Sequence, residues 1–153
     1  MNQISPTPEM AAPPAATLGF LINDVARLLR QRFEAALEAA GLELTAGEAR
    51  TLAFIATHPG IRQSLLAEHM GVEPMTLVGF LDRLAARDLI VRETDPTDRR
   101  AKIVVLQPAA GAGVRDVQAI GRTVREKATA EVSPDDVETA RKVLTAMRAA
   151  LAE

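Results

Sequence analysis

The run Gln63-Ser-Leu-Leu-Ala-Glu-His-Met-Gly-Val-Glu-Pro-Met-Thr-Leu-Val-Gly-Phe-Leu-Asp-Arg-Leu84 contains two short helical patterns separated by a single glycine. Gly71 stands at a turn that needs a residue tolerant of positive φ, and Pro74 stands where the first turn of a helix accepts proline. Ala67 supplies the small side chain that lets two helices cross closely. A shared core is predicted for five apolar positions, Leu66, Met70, Val72, Leu77 and Leu81. The run therefore predicts a helix-turn-helix.

Two stretches rich in β-branched residues follow this run, at 89–93 and 103–106. A polar loop with an Asp-Pro step separates them, which predicts one hairpin. Arg99, Arg100 and Lys102 fall within four positions at the tip of that hairpin. A basic-tipped hairpin directly after a helix-turn-helix is typical of proteins that insert a helix into the major groove of DNA.

The rest of the chain predicts helices. A long first helix begins near Thr17 and ends before Gly41, and Thr45 with Glu48 forms a capping box that opens the next helix. Ile61 is predicted to add a short strand. Beyond the hairpin, one helix is predicted from about 108 to 131, and another begins after the N-cap Ser133. The fold class is therefore mainly α with a small β-hairpin.

Composition limits the functions that fit. The 153 residues include no Cys, which excludes disulfides and thiolate metal sites. Residues 1–16 are rich in Pro and Ala and are predicted to be a disordered tail without the basic start of a secretory signal. With no long apolar run, a cytoplasmic location is expected. We find no catalytic motif and predict neither an enzyme, a cofactor nor a metal site, since His58 and His69 are the only histidines.

Net charge argues weakly against nucleic-acid binding. The chain carries −2, and residues 62–102 hold seven basic and seven acidic side chains. A DNA-binding domain often has a clear basic excess. One alternative is therefore a dimer of the same fold that has lost DNA binding and acts as a protein-interaction adaptor.

The motif set resembles the MarR family of winged helix-turn-helix transcriptional regulators. The resemblance depends on Leu81-Asp82-Arg83-Leu84 followed by Asp95-Pro-x-Asp98-Arg99-Arg100-x-Lys102. It implies a homodimer held by helical regions at 17–42 and 108–153, with a DNA-binding lobe at 43–107. It also implies a repressor that places two recognition helices on a pseudo-palindromic operator.

Site residues follow from the resemblance by position. The wing of this fold corresponds to the predicted hairpin at 89–106. Asp82 is expected to pair with Arg100, and both Asp82 and Asp98 are expected to anchor the wing. Arg99 is then expected in the minor groove, where an A·T-rich tract has strong negative potential. The alternative is that Arg99 and Arg100 only form surface ion pairs with Asp95 and Asp98. The DNA-binding set expected from the sequence is Arg62, Ser64, Pro74, Met75, Thr76, Gly79, Arg83, Arg99, Arg100 and Lys102.

The chain departs from the family pattern at several positions. Gly79 stands where a long polar side chain is common, and Arg62 replaces the usual Ser or Thr cap before Gln63. Asp88 replaces a frequent glycine after the second helix of the motif, which is tolerable because Asp adopts the left-handed conformation more readily than most residues. The departures bear on affinity and on the target sequence.

A small aromatic or lipophilic effector is also implied, because many members of the family bind one near the first helix. The pocket is expected between the first helix, the DNA-binding lobe and the dimer helices, lined by His58 and by Phe20, Phe33, Phe54 and Phe80. The alternative is that these aromatic side chains belong to the core.

Overall fold

The computed structural model describes residues 17–152, so the predicted tail at 1–16 lies outside the described residues. Within that range the chain forms six α-helices and one three-stranded sheet. The helices are α1 (Leu18–Ala39), α2 (Ala46–Thr57), α3 (Gln63–Met70), α4 (Pro74–Ala86), α5 (Gly111–Ala128) and α6 (Pro134–Leu151). The strands are β1 (Ile61–Arg62), β2 (Ile90–Asp95) and β3 (Asp98–Leu106). The predicted class, mainly α with a small hairpin, is confirmed.

The sheet is antiparallel in the order β1-β3-β2. Ile61 pairs with Val104, and Ile90 pairs with Leu106, so the central strand β3 joins the hairpin to the start of α3. The hairpin is longer than predicted, because pairing continues past an irregularity at Thr94 to the pair Asp95 and Asp98. Only two residues remain in its turn.

Local signals in the sequence set the helix ends. Thr45 and Glu48 form both bonds of the capping box, and the Ser133 hydroxyl accepts the bond from Asp136 N at 3.2 Å. Gly71 adopts φ +62° between α3 and α4, and Asp88 adopts φ +56° after α4. Both are left-handed conformations that Gly adopts freely and Asp more readily than most residues. Each of these predicted caps and turns is confirmed.

The segment after the hairpin differs from its prediction at both ends. Pro108–Ala110 forms a single 3-10 turn, and α5 begins only at Gly111. The helix ends at Ala128, and the hydroxyl of the C-cap residue Thr129 donates to Arg125 O at 3.1 Å.

The main core lies between the helix-turn-helix and the sheet. Its central side chains are fully buried and come from α2, α3, α4 and β3: Leu52, Leu66, Leu77, Leu81, Leu84 and Val104. Val114 of α5 packs against the same cluster. A second, smaller cluster holds Leu37, Ala49 and Val117 and joins α1 to α2 and α5.

Helix α6 buries no residue within the chain. Much of α1 is likewise exposed, with Leu37 its only buried residue. No helix within 17–152 is long and apolar enough to cross a membrane.

Candidate nucleic-acid interface

Helix α4, the second helix of the helix-turn-helix, presents its first turn to solvent. Pro74, Met75 and Thr76 are exposed, and Met75 retains 78% of its accessible surface. Leu77, Leu81 and Leu84 of the same helix are fully buried, so the helical period separates a packed face from an open one. The exposed turn offers a hydroxyl and two apolar groups to a partner, and no long polar side chain.

Gly79 leaves a gap on the same helix. A Cβ placed there would meet only the Arg83 guanidinium, at 3.5 Å, which is ordinary contact. The position can therefore accept a side chain, and its emptiness is a property of the sequence and not of the packing.

The tip of the hairpin is organised by Asp95. Its Oδ1 accepts bonds from the backbone N and the hydroxyl of Thr97, both at 2.7 Å, and its Oδ2 accepts the Arg62 Nε at 2.5 Å. The bonds from Thr97, together with the Arg62 guanidinium, outweigh burial and lower the pKa of Asp95 to about 2. The carboxylate is charged at neutral pH and holds the turn closed.

Arg62 therefore has a partner that the sequence did not predict. Besides Asp95, it donates to the Thr97 hydroxyl at 3.1 Å, which ties the wing to the residue that precedes α3. Arg62 makes no side-chain cap on α3, as its residue type predicts. The sequence signal that was missed is the Asp-x-Thr spacing, in which an Asp carboxylate bonds the backbone two residues on.

The two wing arginines stand apart from the ion pairs of the fold. Asp98 Oδ1 accepts the Arg100 backbone N at 3.0 Å, and Lys102 Nζ donates to the Thr94 hydroxyl at 2.9 Å. Within 17–152, neither the Arg99 nor the Arg100 side chain forms an ion pair, so their expected alternative partners Asp95 and Asp98 do not hold them.

The expected pairing of Asp82 with Arg100 is wrong. Asp82 Oδ1 accepts from Arg92 Nη2 at 2.5 Å instead. Arg92 lies on β2 opposite Val104, and Arg100 lies four positions before Val104 on β3. Four residues of strand span about 13 Å, so Arg100 is carried away from α4 toward the tip of the hairpin.

Arg83 is also held within the protein. Its Nε donates to Glu48 Oε1 across the α2–α4 contact, and its guanidinium lies 5.5 Å from the centre of the Phe80 ring. Burial acts to raise the pKa of Glu48, but the bonds from Arg83 and Thr45 outweigh it and lower that pKa. Glu48 is therefore charged at neutral pH.

Part of the expected DNA-contact set does come together. Ser64 at the start of α3 lies beside Arg100 and Lys102 of β3 around a surface depression of about 330 Å³, which Gln63 and Asp98 also line. This depression adjoins the N-terminus of α3, which has no side-chain cap, and two basic side chains, Arg100 and Lys102, line it.

The expected effector residues do not come together. Phe54 stacks on His58 with 4.3 Å between ring centres, and His69 approaches the same pair. Phe20 is 73% exposed and lines a shallow site made only of α1 residues. Within one protomer Phe20 lies apart from the other two, because it projects from the first turn of a helix that packs only farther along, and the shared pocket stays a prediction.

Another cleft lies between α1, α2 and α5, and of the aromatic residues expected around the effector it contains Phe33. It encloses about 310 Å³, with Leu29, Phe33, Val117, Gly121 and Val124 along its apolar wall and Arg30, Arg50, Gln118 and Arg125 at its rim.

A helix-turn-helix packed against a three-stranded antiparallel sheet, whose hairpin projects a basic tip, defines the winged helix-turn-helix fold, which many DNA-binding proteins share. A sequence model of the MarR family matches residues 44–102. A Thauera aromatica protein named for a regulatory role at the hcr operon is 40% identical over 65 residues, and the match covers 42% of this chain and 39% of that protein.

Solved structures agree over most of the chain. The transcriptional regulator PA3341 is 30% identical with a TM-score of 0.79, over 88% of this chain and 98% of that one. A mutant MarR from E. coli complexed with operator DNA is 25% identical with a TM-score of 0.72, over 85% of this chain and 92% of that one. The chain belongs to the MarR family of transcriptional regulators, a class whose members regulate transcription and are not enzymes.

Proposed function

We propose that the protein is a homodimeric repressor that binds a pseudo-palindromic operator in the cytoplasm. The observation that carries this proposal is the contrast among its arginines. Arg62, Arg83 and Arg92 are paired with carboxylates of the fold, whereas Arg99 and Arg100 project from the wing without one among the described residues. Cations held away from internal partners are available for phosphates or for a narrow minor groove.

The dimer is supported by two exposed apolar seams. On α1 the seam consists of Leu18, Leu21, Val25 and Leu28, and on α6 of Val137, Ala140, Leu144, Met147 and Leu151. Both repeat at spacings of three and four, which suits helix-on-helix packing. Large side chains exposed in such a row are rare on monomers. A second copy of the chain, acting through residues 17–42 and 108–153, is the occupant that we propose.

Each protomer then reads DNA through its lobe at 43–107. Pro74, Met75 and Thr76 approach base edges in the major groove, where the Thr76 hydroxyl can bond and the methyl groups can meet thymine. Arg99 enters the minor groove, and Ser64, Arg100 and Lys102 contact phosphates. Repression follows from occupying a site that RNA polymerase needs.

The test is a gel shift against the DNA upstream of the protein's own gene, repeated at several salt concentrations. Arg99→Ala should weaken binding by a few kcal/mol at most and reduce the salt slope by about one unit. Arg122→Ala removes the same charge from the exposed face of α5 and is the matched control. Unchanged affinity of the Arg99 variant would contradict the wing model.

The adaptor alternative is decided by the same experiment. It is favoured by the balanced charge of residues 62–102 and by the missing side chain at Gly79. Absence of any shift at low salt, where electrostatic binding is strongest, would support the adaptor and reject the repressor.

We also propose that the α1–α2–α5 cleft binds an aromatic or lipophilic carboxylate that releases the DNA. Arg30, Arg50 and Arg125 reach its rim, and within 17–152 none of the three forms an ion pair. The carboxylate of the ligand pairs with these arginines, and the apolar part of the ligand lies against Phe33. Gly121 keeps the cleft open, since a Cβ there would approach the Arg125 guanidinium at 3.2 Å and the Phe33 ring at 3.7 Å.

Benzoate and benzyl alcohol form a matched pair of probes for the cleft. Benzoate should raise the melting temperature and weaken operator binding, and the uncharged alcohol should do neither at the same concentration. Arg50→Ala should abolish the benzoate effect. Equal effects of the two probes would contradict the role of the arginines.

A further inference from the structure

Two side chains at the end of α4, one in its second half and one at its C-cap, are bonded to the segment that opens α2. Arg83 donates to Glu48, and one turn later Arg87 donates to the backbone oxygen of Glu43. Both bonds join residues about forty positions apart in sequence. They fix how the recognition helix lies on the lobe.

Glu48 is a rigid anchor for this contact. Its side chain is 5% exposed, and its Oε2 accepts the Thr45 backbone N at 3.0 Å as half of the capping box. The other carboxylate oxygen is left for Arg83. One buried carboxylate therefore both caps α2 and holds α4, and it cannot swing toward solvent without breaking the cap.

The packing around the pair admits little adjustment. The Phe80 ring lies against Gly47, where an added Cβ would come within 2.3 Å of it, and the Arg83 guanidinium covers the same ring. The Glu48 carboxylate is buried, and a buried charge without its partner is strongly unfavourable, so the bond to Arg83 is favoured although the Arg83 side chain stays 55% exposed.

We propose that Glu48 is a positioning residue for DNA recognition, which acts through Arg83 to set the orientation of α4. The proposal rests on the proposed function, in which α4 reads the operator. Arg83 then holds the recognition helix and is not a phosphate contact. The base-facing Thr76 lies seven residues away, about 10 Å along the helix axis. A small rotation at Arg83 therefore displaces the residues that meet the bases.

The test compares three variants by affinity for operator and for unrelated DNA of equal length. Glu48→Gln keeps the side-chain volume and the capping acceptor but removes the charge. Arg83→Gln removes the other partner. Each should lower the ratio of operator to unrelated affinity on the order of tenfold, and the double variant should lower it no further than either single variant. The slope of affinity against salt should stay unchanged.

Thr45→Ala is the matched control. It removes the hydroxyl that accepts the Glu48 backbone N at 3.2 Å, but it leaves the Glu48 side chain and Arg83 in place. It should lower the melting temperature without changing the affinity ratio. A ratio that falls as far in Thr45→Ala as in Glu48→Gln would show that general loosening of α2 is responsible, and would overturn the proposal.

Two further outcomes decide the matter. If Arg83→Gln lowers the salt slope by about 0.9 and Glu48→Gln has no effect, Arg83 is a phosphate contact and the positioning role is wrong. If the native protein binds no DNA, the proposed function fails on its own. Amide hydrogen exchange of the free protein then tests the Glu48–Arg83 contact separately. If the contact holds α4, Glu48→Gln must accelerate exchange in the last turns of α4 relative to α3. Unchanged exchange overturns it.

Discussion

The lobe from α2 to β3 and the helix α6 treat their apolar side chains in opposite ways. The lobe buries Leu66, Leu77, Leu81 and Leu84 completely, whereas α6 leaves Val143 and Leu144 46% exposed. The lobe thus forms a hydrophobic core from residues of its own chain. Helix α6 has apolar side chains that no other part of the same chain buries. The difference indicates that one region specifies its fold locally, and that the other depends on the second copy that we propose.

The largest effect is expected from a deletion in the lobe core. Leu81→Ala should lower the free energy of unfolding by about 2–5 kcal/mol, because it leaves a cavity among fully buried neighbours. Urea denaturation measures this. Leu144→Ala, compared at a protein concentration low enough to populate monomers, should change it by less than about 0.5 kcal/mol. Equal losses in the two variants would remove the distinction between the regions.

The proposed interface is tested next. Leu144→Asp places a charge in the α6 seam and should weaken self-association by at least about tenfold, or about 1.4 kcal/mol, measured by sedimentation. Ala146→Asp introduces the same charge on an exposed position two residues along the helix, nearly opposite Leu144, and should leave association unchanged. A monomeric native protein would contradict the seam outright.

Two glycines of the lobe give a smaller effect of opposite sign. Gly79→Ala should raise stability by about 0.5–1 kcal/mol, because it restores helix propensity at a site with room for a Cβ. Gly47→Ala should instead lower stability, because the added Cβ forces the Phe80 ring to move. Thermal unfolding of the two variants measures both. Destabilisation by Gly79→Ala would mean that the position is constrained by packing.

The most local effect concerns the wing turn. The pKa of Asp95, about 2, lies below its ordinary 3.8, so its contribution to folding is complete above pH 3.8 and is lost as pH falls toward 2. Titration of the carboxyl carbon by NMR should show this midpoint. Thr97→Val should raise the pKa more than Arg62→Leu, because the Thr97 hydroxyl contributes most to the shift. The reverse order would make Arg62 the principal anchor.

The sequence predicted the features that depend on a few neighbouring residues. The capping box at Thr45, the turn at Gly71 and the positive φ at Asp88 each follow from the chemistry of one side chain and its local backbone. The residue pattern also sufficed for the helix-turn-helix and the hairpin, since apolar spacing and Gly or Pro positions mark them.

The pairings between distant residues were not predictable in the same way. Asp82 meets Arg92 and not Arg100 because strand register carries Arg100 toward the tip of the hairpin. Arg62 and Arg83 read as basic surface residues in a sequence, and only the packed fold places Asp95 and Glu48 beside them. The exposure of Phe20 was not predictable for the same reason, since the sequence does not show which part of α1 is covered within the protomer.

The position of α2 has a thermodynamic consequence. Glu48 faces the recognition helix and Arg50 faces the cleft, and the two are separated by about 3 Å of rise on one helix. An anion that favours a rotated position of α2 also moves Glu48, and through Arg83 it changes how α4 is oriented toward the operator. The same coupling free energy then acts in reverse, so bound DNA must reduce the affinity of the cleft for that anion by the same factor. The affinity of the anion can be measured for the free protein and for its DNA complex. The ratio of the two affinities then equals the factor by which the anion weakens operator binding.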